Sequence, residues 1–145
     1  MSDYQHILLA VDFSEQCLFV AEKARSLVNK YHAKLSIVHV LDNIPMPDTN
    51  YGVVIPLDQD SLDGLLGNEK AKFMAIADHL GVDLENRWMI WGIPKDEIIN
   101  IADKEQVDLI VVGFHGRHGL ALLLGSTANS ILHHAKCDVL AVRLK

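Results

Sequence analysis

Residues Asp108–Thr127 read DLIVVGFHGRHGLALLLGST, and this stretch decides the fold. The apolar run Leu109–Val112 predicts a buried strand of a parallel sheet, which is expected to end at Gly113. Gly116 follows in a loop, and Gly125 precedes a segment with the pattern of a helix. Glycines let main-chain N–H groups approach an anion, and a following helix directs its unpaired N–H groups to the same place. The stretch therefore predicts an anion site.

The loop in this stretch is basic, although the chain as a whole is acidic. It carries His115, Arg117 and His118, and no Asp or Glu occurs between residues 109 and 137, while the formal net charge is -6. Arg117 can pair with a phosphate, and it is equally well explained as a solvated loop charge. His115 and His118 have no third ligand nearby, so no metal site is predicted. The overall charge argues against a nucleic-acid partner.

Composition indicates one domain spanning residues 1–145. Half of the residues are hydrophobic and 22% are charged, as in globular proteins. Cys17 and Cys137 lack paired spacing and are expected to be two lone thiols in a reducing compartment. The N-terminus lacks the pattern of a signal peptide, and no apolar run is long enough to span a membrane. We therefore expect a cytoplasmic protein without a membrane partner.

The rest of the chain alternates between strand and helix patterns. Strands are predicted at His6–Val11, Leu35–Val40, Leu84–Trp91 (an edge strand), Leu109–Val112 and Val139–Val142. Helices are predicted after Ser14, over Ser61–Leu80 with a stop at Gly81, from Pro94, and over Ser126–Ala135. The segment Leu41–Asp60 is expected to be an irregular, functional loop. This order gives a three-layer α/β fold with an open, parallel five-stranded sheet.

Asp12 and Gly113 follow the first and fourth strands. Ligands of such sheets bind where the strand order reverses, so we place these strands side by side, in the order 3-2-1-4-5. Asp12 is a candidate to hold ribose hydroxyls or a Mg²⁺ ion that bridges phosphates, and a helix cap explains it equally well. His39, inside the second strand, is expected to be a hydrogen-bonded core residue.

Three segments of the chain resemble the universal stress protein family, and are most similar to its stress protein A type. They are ILLAVDFSE at 7–15, KLSIVHV at 34–40 and VDLIVVGFHGRHGLALLLGSTANSILHHAKCDVLAVR at 107–143. The resemblance covers the whole length and implies a Rossmann-like, adenine nucleotide alpha hydrolase-like fold. It also implies a role in stress response and a homodimer, which we expect to form through the last strand, Val139–Leu144.

ATP-binding members of this family carry the motif G-2x-G-9x-G-[S/T]. Gly113, Gly116, Gly125 and Ser126 match it, with eight residues rather than nine between the second and third glycines. The resemblance thus implies bound ATP, with Mg²⁺ as a candidate companion. The positions that it and the strand ends assign to the nucleotide are Ala10, Val11, Asp12, Val40, Val112, Gly113, His115, Gly116, Arg117, Gly125, Ser126 and Thr127.

Two alternatives stay open beside an ATP-binding regulator. The eight-residue spacer is typical of the stress protein A type, whose best-known members do not retain ATP, so a non-binding homodimer that acts through protein contacts is the first. The second is an enzyme of the adenylate-forming group, although the chain has no room for its extra segments. No base, nucleophile or arginine finger is evident, so we expect ATP to be bound, with slow hydrolysis at most and no catalytic residue assigned.

Overall fold

A sheet of six strands lies between two layers of helices in the described part of the chain. The computed structural model describes residues 4–12, 17–41, 53–55, 57, 64–115 and 126–144. The strands are β1 (His6–Ala10), β2 (Lys34–Leu41), β3 (Val53–Val54), β4 (Arg87–Trp91), β5 (Leu109–His115) and β6 (Asp138–Leu144). The helices are α1 (Cys17–Tyr31), α2 (Gly64–Leu80), α3 (Pro94–Lys104) and α4 (Ser126–His134), with a 3₁₀ turn at Leu84–Asn86.

The strand order is β3-β4-β2-β1-β5-β6. β3 pairs antiparallel with β4, and the other neighbours pair in parallel. Without β3, the parallel strands follow the predicted order 3-2-1-4-5, which is confirmed. The chain leaves β1 for β2 on one side, while β5 lies on the other side. The strand order therefore reverses between β1 and β5, and a crevice is expected at their carboxyl ends.

Each strand sends alternate side chains to two faces of the sheet. On the face that α1 and α2 cover, Leu9 packs in one buried cluster with Ala21 and Phe73. On the face that α3 and α4 cover, Leu8 packs in a second cluster with Ile131. We call these the α1/α2 face and the α3/α4 face. The predicted three-layer arrangement is confirmed.

β5 is longer than predicted. The sequence predicted that this strand ends at Gly113, but the strand continues to His115 and pairs with β6 as far as His115↔Leu144. The reason is the partner strand, since β6 is also seven residues long and supplies main-chain groups beyond the glycine. The prediction that His115 lies in a loop is therefore wrong for its main chain.

The third predicted strand, Leu84–Trp91, is corrected at both ends. Its first three residues form the 3₁₀ turn, in which Asn86 N–H donates to the Asp83 carbonyl at 2.9 Å. At the other end, β3 pairs with the last two residues of β4, so β4 is not an edge strand there. β3 lies inside the segment predicted to be irregular, and two residues are too few to show a strand period.

Helix boundaries follow local sequence signals where the structure describes them. α3 begins at Pro94, which lacks the N–H that a first helical turn leaves unpaired. α2 ends before Gly81, whose φ of +70° is one that other residues rarely adopt. α4 begins at Ser126, as predicted. The predicted caps, Ser14 and Ser61, lie outside the described residues.

Two further expectations concern membranes and cysteines. None of the described helices combines the length and apolar character that a membrane crossing requires. Cys17, which is buried, and Cys137, which is partly buried, are not disulfide-bonded, as their spacing predicted. Burial raises the pKa of the Cys137 thiol above its ordinary value.

Candidate functional site

Three of the predicted site residues come together at the carboxyl ends of neighbouring strands. Ala10 ends β1, Val40 lies near the end of β2, and Val112 lies in β5. Val40 and Val112 belong to the buried cluster of the α3/α4 face and are 6% and 3% exposed, and the partly buried Ala10 packs against this cluster. Apolar side chains from three adjacent strands thus line one face of the sheet, at the edge where strand order reverses.

Val11 is directed differently from these three residues. Its side chain belongs to the cluster of the α1/α2 face, on the other side of the sheet. Its N–H donates to the Val38 carbonyl at 3.0 Å, and its own carbonyl lies 2.7 Å from His39 Nδ1. The structure therefore does not bring the Val11 side chain to the candidate site. The main chain of Val11 is held by these two contacts and leads directly into Asp12.

Asp12 is exposed at the end of β1, directly after Val11. It leaves the sheet on the β1 side of the β1/β5 crevice. The residues that follow it, 13–16, lie outside the described part of the chain.

Gly113 lies within the β5–β6 ladder, opposite Val142, so its main chain belongs to the sheet. His115 is the last residue of the same strand. Ser126 and Thr127 open α4, and because α4 follows β5 and precedes β6, its amino end lies at the carboxyl edge of the sheet. The dipole of α4 therefore places positive charge at this edge. Gly116, Arg117 and Gly125 lie outside the described residues.

A buried histidine–carboxylate pair lies beside this edge, on the α1/α2 face. His39 was predicted to be a hydrogen-bonded core residue, which its 2.7 Å contact with the Val11 carbonyl confirms. Its Nε2 lies 3.7 Å from Glu69 Oε2, and the side chains are 11% and 18% exposed. Sequence reasoning missed Glu69, although it falls on the stripe of α2 that buries Phe73, Ala77 and Leu80, at helical spacing from them. A carboxylate on a buried stripe is the signal that would have identified it.

A second carboxylate lies at the carboxyl end of β4. Gly92 is buried there and donates its N–H to the Leu41 carbonyl at 3.1 Å. A Cβ on Gly92 would stand 2.6 Å from Glu97 Cγ, so the absence of a side chain lets Glu97 pack against the main chain. Burial raises the pKa of the Glu97 carboxyl, which the hydrogen bond with Asn100 partly offsets.

A groove of about 610 Å³ lies between α3 and α4. It is lined by Lys95, Asp96, Glu97, Ile99, Asn100, Ser130 and His134. Its lining mixes both signs of charge and includes none of the predicted site residues. Among the described residues, no group of three or more His, Cys, Asp or Glu side chains is placed to hold a metal ion.

Known proteins with this architecture are found by sequence and by structure. The chain matches the model of the universal stress protein family over residues 3–143. It is 41% identical to Universal stress protein A homolog 2 of Coxiella burnetii, over 100% of this chain and 99% of that protein. A universal stress protein in complex with cAMP superposes with a TM-score of 0.67 at 24% identity, covering 98% of both chains. The universal stress protein UspA from Lactobacillus plantarum gives 0.65 at 25% identity, covering 99% of this chain and 100% of that chain.

Proposed function

Because this chain belongs to the universal stress protein family, we propose that it binds ATP at the carboxyl edge of its sheet and acts as a homodimeric, nucleotide-dependent regulator in the stress response of the cytoplasm. The observation that carries the proposal is the convergence of Ala10, Val40 and Val112 on one face at the point where strand order reverses. An adenine ring needs an apolar surface of this kind, formed next to main-chain polar groups.

The phosphates extend from the β1/β5 crevice toward the amino end of α4. The proposal assigns them to main-chain amides at Gly113, Gly116, Gly125, Ser126 and Thr127 and to the side chains of Arg117 and His115. The dipole of α4 supports this direction, since its positive end lies at the same edge. Asp12 holds the ribose hydroxyls or a Mg²⁺ ion on the phosphates.

The proposed activity is binding rather than rapid hydrolysis. No base or arginine finger aimed at a γ-phosphate is evident in the sequence, so the proposed role of bound ATP is that of a signal, with slow hydrolysis at most. The solved relative that holds cAMP shares the fold at 24% identity, which is a likeness of architecture. The proposal for ATP therefore depends on the residues of this chain.

The proposed dimer forms along β6, which ends the strand order. An edge strand offers a row of main-chain N–H and C=O groups to a second strand. Leu140, at 37% exposure, adds an apolar side chain to this edge. Pairing of β6 across a two-fold axis buries both and extends the sheet through two copies of the chain.

A second function is favoured by one sequence observation. The eight-residue spacer between Gly116 and Gly125 is that of the stress protein A type, and the Coxiella relative carries that name. In this alternative the homodimer binds no nucleotide and acts through protein contacts on its surface.

A thermal-shift titration with ATP, ADP and AMP separates the two functions. A ligand that binds the native state at 100 times its Kd adds about 2.7 kcal/mol of stability, which raises the Tm of a chain of this size by roughly 5–10 °C. Asp12→Asn is expected to weaken the response, while Asp83→Asn, at an exposed position with no side-chain capping bond, is the matched control. No shift at millimolar nucleotide would favour the non-binding homodimer.

A further inference from the structure

We propose that His39 is a positioning residue for the nucleotide site, acting through its hydrogen bond to the Val11 carbonyl. It lies on the α1/α2 face and is 9% exposed, so it contacts no ligand on the opposite face. It instead sets the direction of the Val11–Asp12 peptide at the mouth of the crevice. This inference rests on the proposed function and deepens it, because it assigns a role to a residue behind the site.

The bond occurs where β1 leaves the sheet. Pairing of β1 with β5 ends at Leu9↔Val111, and its pairing with β2 ends at Ala10↔Val38. One further main-chain bond, from Val11 N–H to the Val38 carbonyl, follows. The next group along the chain, the Val11 carbonyl, receives its bond from a side chain, that of His39. The imidazole therefore continues the restraint of the chain past the last strand pair.

The proton of this bond can be assigned from chemistry. A carbonyl oxygen accepts hydrogen bonds and cannot donate them, so the 2.7 Å contact requires that His39 Nδ1 carries the hydrogen. The contact of Nε2 with Glu69 Oε2 is 3.7 Å, which is beyond hydrogen-bond distance. The hydrogen bond to the Val11 carbonyl therefore restrains the ring more closely than the contact with Glu69 does.

Peptide planarity transmits this restraint to Asp12. The described peptide bonds are trans, and in a trans peptide the C=O and the following N–H point in opposite directions. The Val11 carbonyl faces His39 on the β2 side of β1. The Asp12 N–H consequently points to the β5 side, where the crevice opens. Rotation of this peptide would redirect Asp12, which the proposed function places against the ribose or the metal.

Two substitutions of His39 distinguish the role of its Nδ1 from that of its Nε2. The side-chain amide nitrogen of Asn occupies the position of His Nδ1, whereas that of Gln occupies the position of Nε2. His39→Asn can therefore donate to the Val11 carbonyl, and His39→Gln cannot do so from the same place. Loss of one buried hydrogen bond corresponds to roughly a tenfold change in an equilibrium constant.

The experiment measures the ATP dissociation constant of the full-length chain by calorimetry, and its Tm without ligand. We expect His39→Gln to weaken ATP binding about tenfold, and His39→Asn to stay within about threefold of the wild type. Glu69→Gln, the matched control on α2, is expected to leave the constant unchanged. Equal losses in His39→Gln and His39→Asn would overturn the proposal, because only a donor at the position of Nδ1 can bond the Val11 carbonyl.

A spectroscopic measurement keeps the test decisive if His39→Gln does not fold. Nitrogen NMR of the wild-type imidazole is expected to show hydrogen on Nδ1, and an unprotonated Nδ1 would overturn the proposal. Failure of the proposed function gives a different result, because the wild type would then show no ATP binding. A wild type that binds ATP, with His39→Gln binding equally well, refutes the role of His39 alone.

Discussion

His6 and His39 are two buried histidines at opposite edges and on opposite faces of the sheet, and their polar surroundings differ. At the amino edge, His6 Nδ1 donates to the Glu105 carbonyl at 3.0 Å, and Nε2 accepts from the Ser36 hydroxyl at 2.7 Å. The main-chain N–H of His6 donates to Asp108 Oδ1 at 3.0 Å. The main-chain N–H and both ring nitrogens of His6 are thus hydrogen-bonded within the fold.

At the carboxyl edge two buried polar atoms depart from this pattern. His39 Nδ1 donates to the Val11 carbonyl at 2.7 Å, and its Nε2 stands 3.7 Å from Glu69 Oε2. Glu69 Oε2 and Trp91 Nε1 are buried, and neither has a hydrogen-bond partner among the described residues.

We infer from this difference that the paired groups at the amino edge stabilise the fold, whereas the groups at the carboxyl edge are placed to bind a ligand. Buried polar groups are normally hydrogen-bonded, and exceptions concentrate where a fold binds or reacts. The polar groups of His6 at the amino edge follow the rule, and Glu69 and Trp91 at the carboxyl edge depart from it, where open parallel sheets bind ligands. Trp88 Nε1, near the amino end of β4, is a third buried atom without a hydrogen-bond partner among the described residues. Substitutions at the amino edge should therefore change the free energy of unfolding, and those at the carboxyl edge should change ligand affinity first.

The largest effect is expected from His6→Ala. It removes a buried ring and leaves the Ser36 hydroxyl and the Glu105 carbonyl without their partner. The free energy of unfolding should fall by about 3–4 kcal/mol, measured by urea denaturation at pH 7.5. ATP affinity of the folded protein should be unchanged. A loss below about 1 kcal/mol would remove the distinction between the edges.

Smaller changes in the free energy of unfolding are expected from one substitution at each edge, and the two changes should have opposite signs. Ser36→Ala leaves His6 Nε2 unpaired and should lower the free energy of unfolding by about 1–2 kcal/mol. Glu69→Leu replaces a poorly paired carboxylate by an apolar side chain and should raise it by about 1 kcal/mol. Both are read from urea denaturation. Destabilisation by Glu69→Leu as large as that by Ser36→Ala would show that the carboxylate stabilises the fold.

Gly92→Ala is expected to lower the free energy of unfolding by less than about 1 kcal/mol. The new Cβ would meet Glu97 Cγ at 2.6 Å, and this flexible side chain can move away. The double variant with Glu97→Ala should recover most of the loss, which a double-mutant cycle of denaturation midpoints measures. If the effects of the two substitutions simply add, the strain lies in the main chain and not in the contact with Glu97.

The pH dependence of stability is the most gradual of these effects. Burial lowers the pKa of His6 below its ordinary 6.5, so the unfolded chain takes up this proton at a higher pH than the folded chain. The contribution of His6 is therefore fully present above pH 6.5 and is lost as the pH falls from there through the folded pKa. Denaturation at several pH values should show this slope in His134→Gln, an exposed control, and not in His6→Phe.

The sequence predicted the arrangement of the sheet because that arrangement follows from local patterns. Short apolar runs marked the parallel strands, and Asp12 and Gly113 marked the two that meet at the reversal. Strand ends were predicted less well, since they depend on partners distant in sequence. Gly113 resembles a strand end by itself, yet β6 pairs with the residues that follow it. The two valines of β3 become a strand only by pairing with β4.

The candidate site divides in the same way. Ala10, Val40 and Val112 were assigned to one site from the sequence, and the fold brings the three residues to one face of the sheet. That Val11 faces the other side follows from strand alternation and was available from the sequence. The pairing of His39 with Val11 and Glu69 joins β1, β2 and α2, and no local pattern specifies which elements pack together.

β5 and β6 are hydrogen-bonded along the full length of each strand, from Leu109↔Asp138 to His115↔Leu144. A displacement of the glycine-bearing end of β5 therefore moves β6 with it, because neither strand can slide without breaking the whole ladder. If two copies join along β6, the β1/β5 crevices of the two subunits are separated by four strands of one continuous sheet. Signals between subunits would then travel as rigid-body movement of β-structure, with no helix required as a relay.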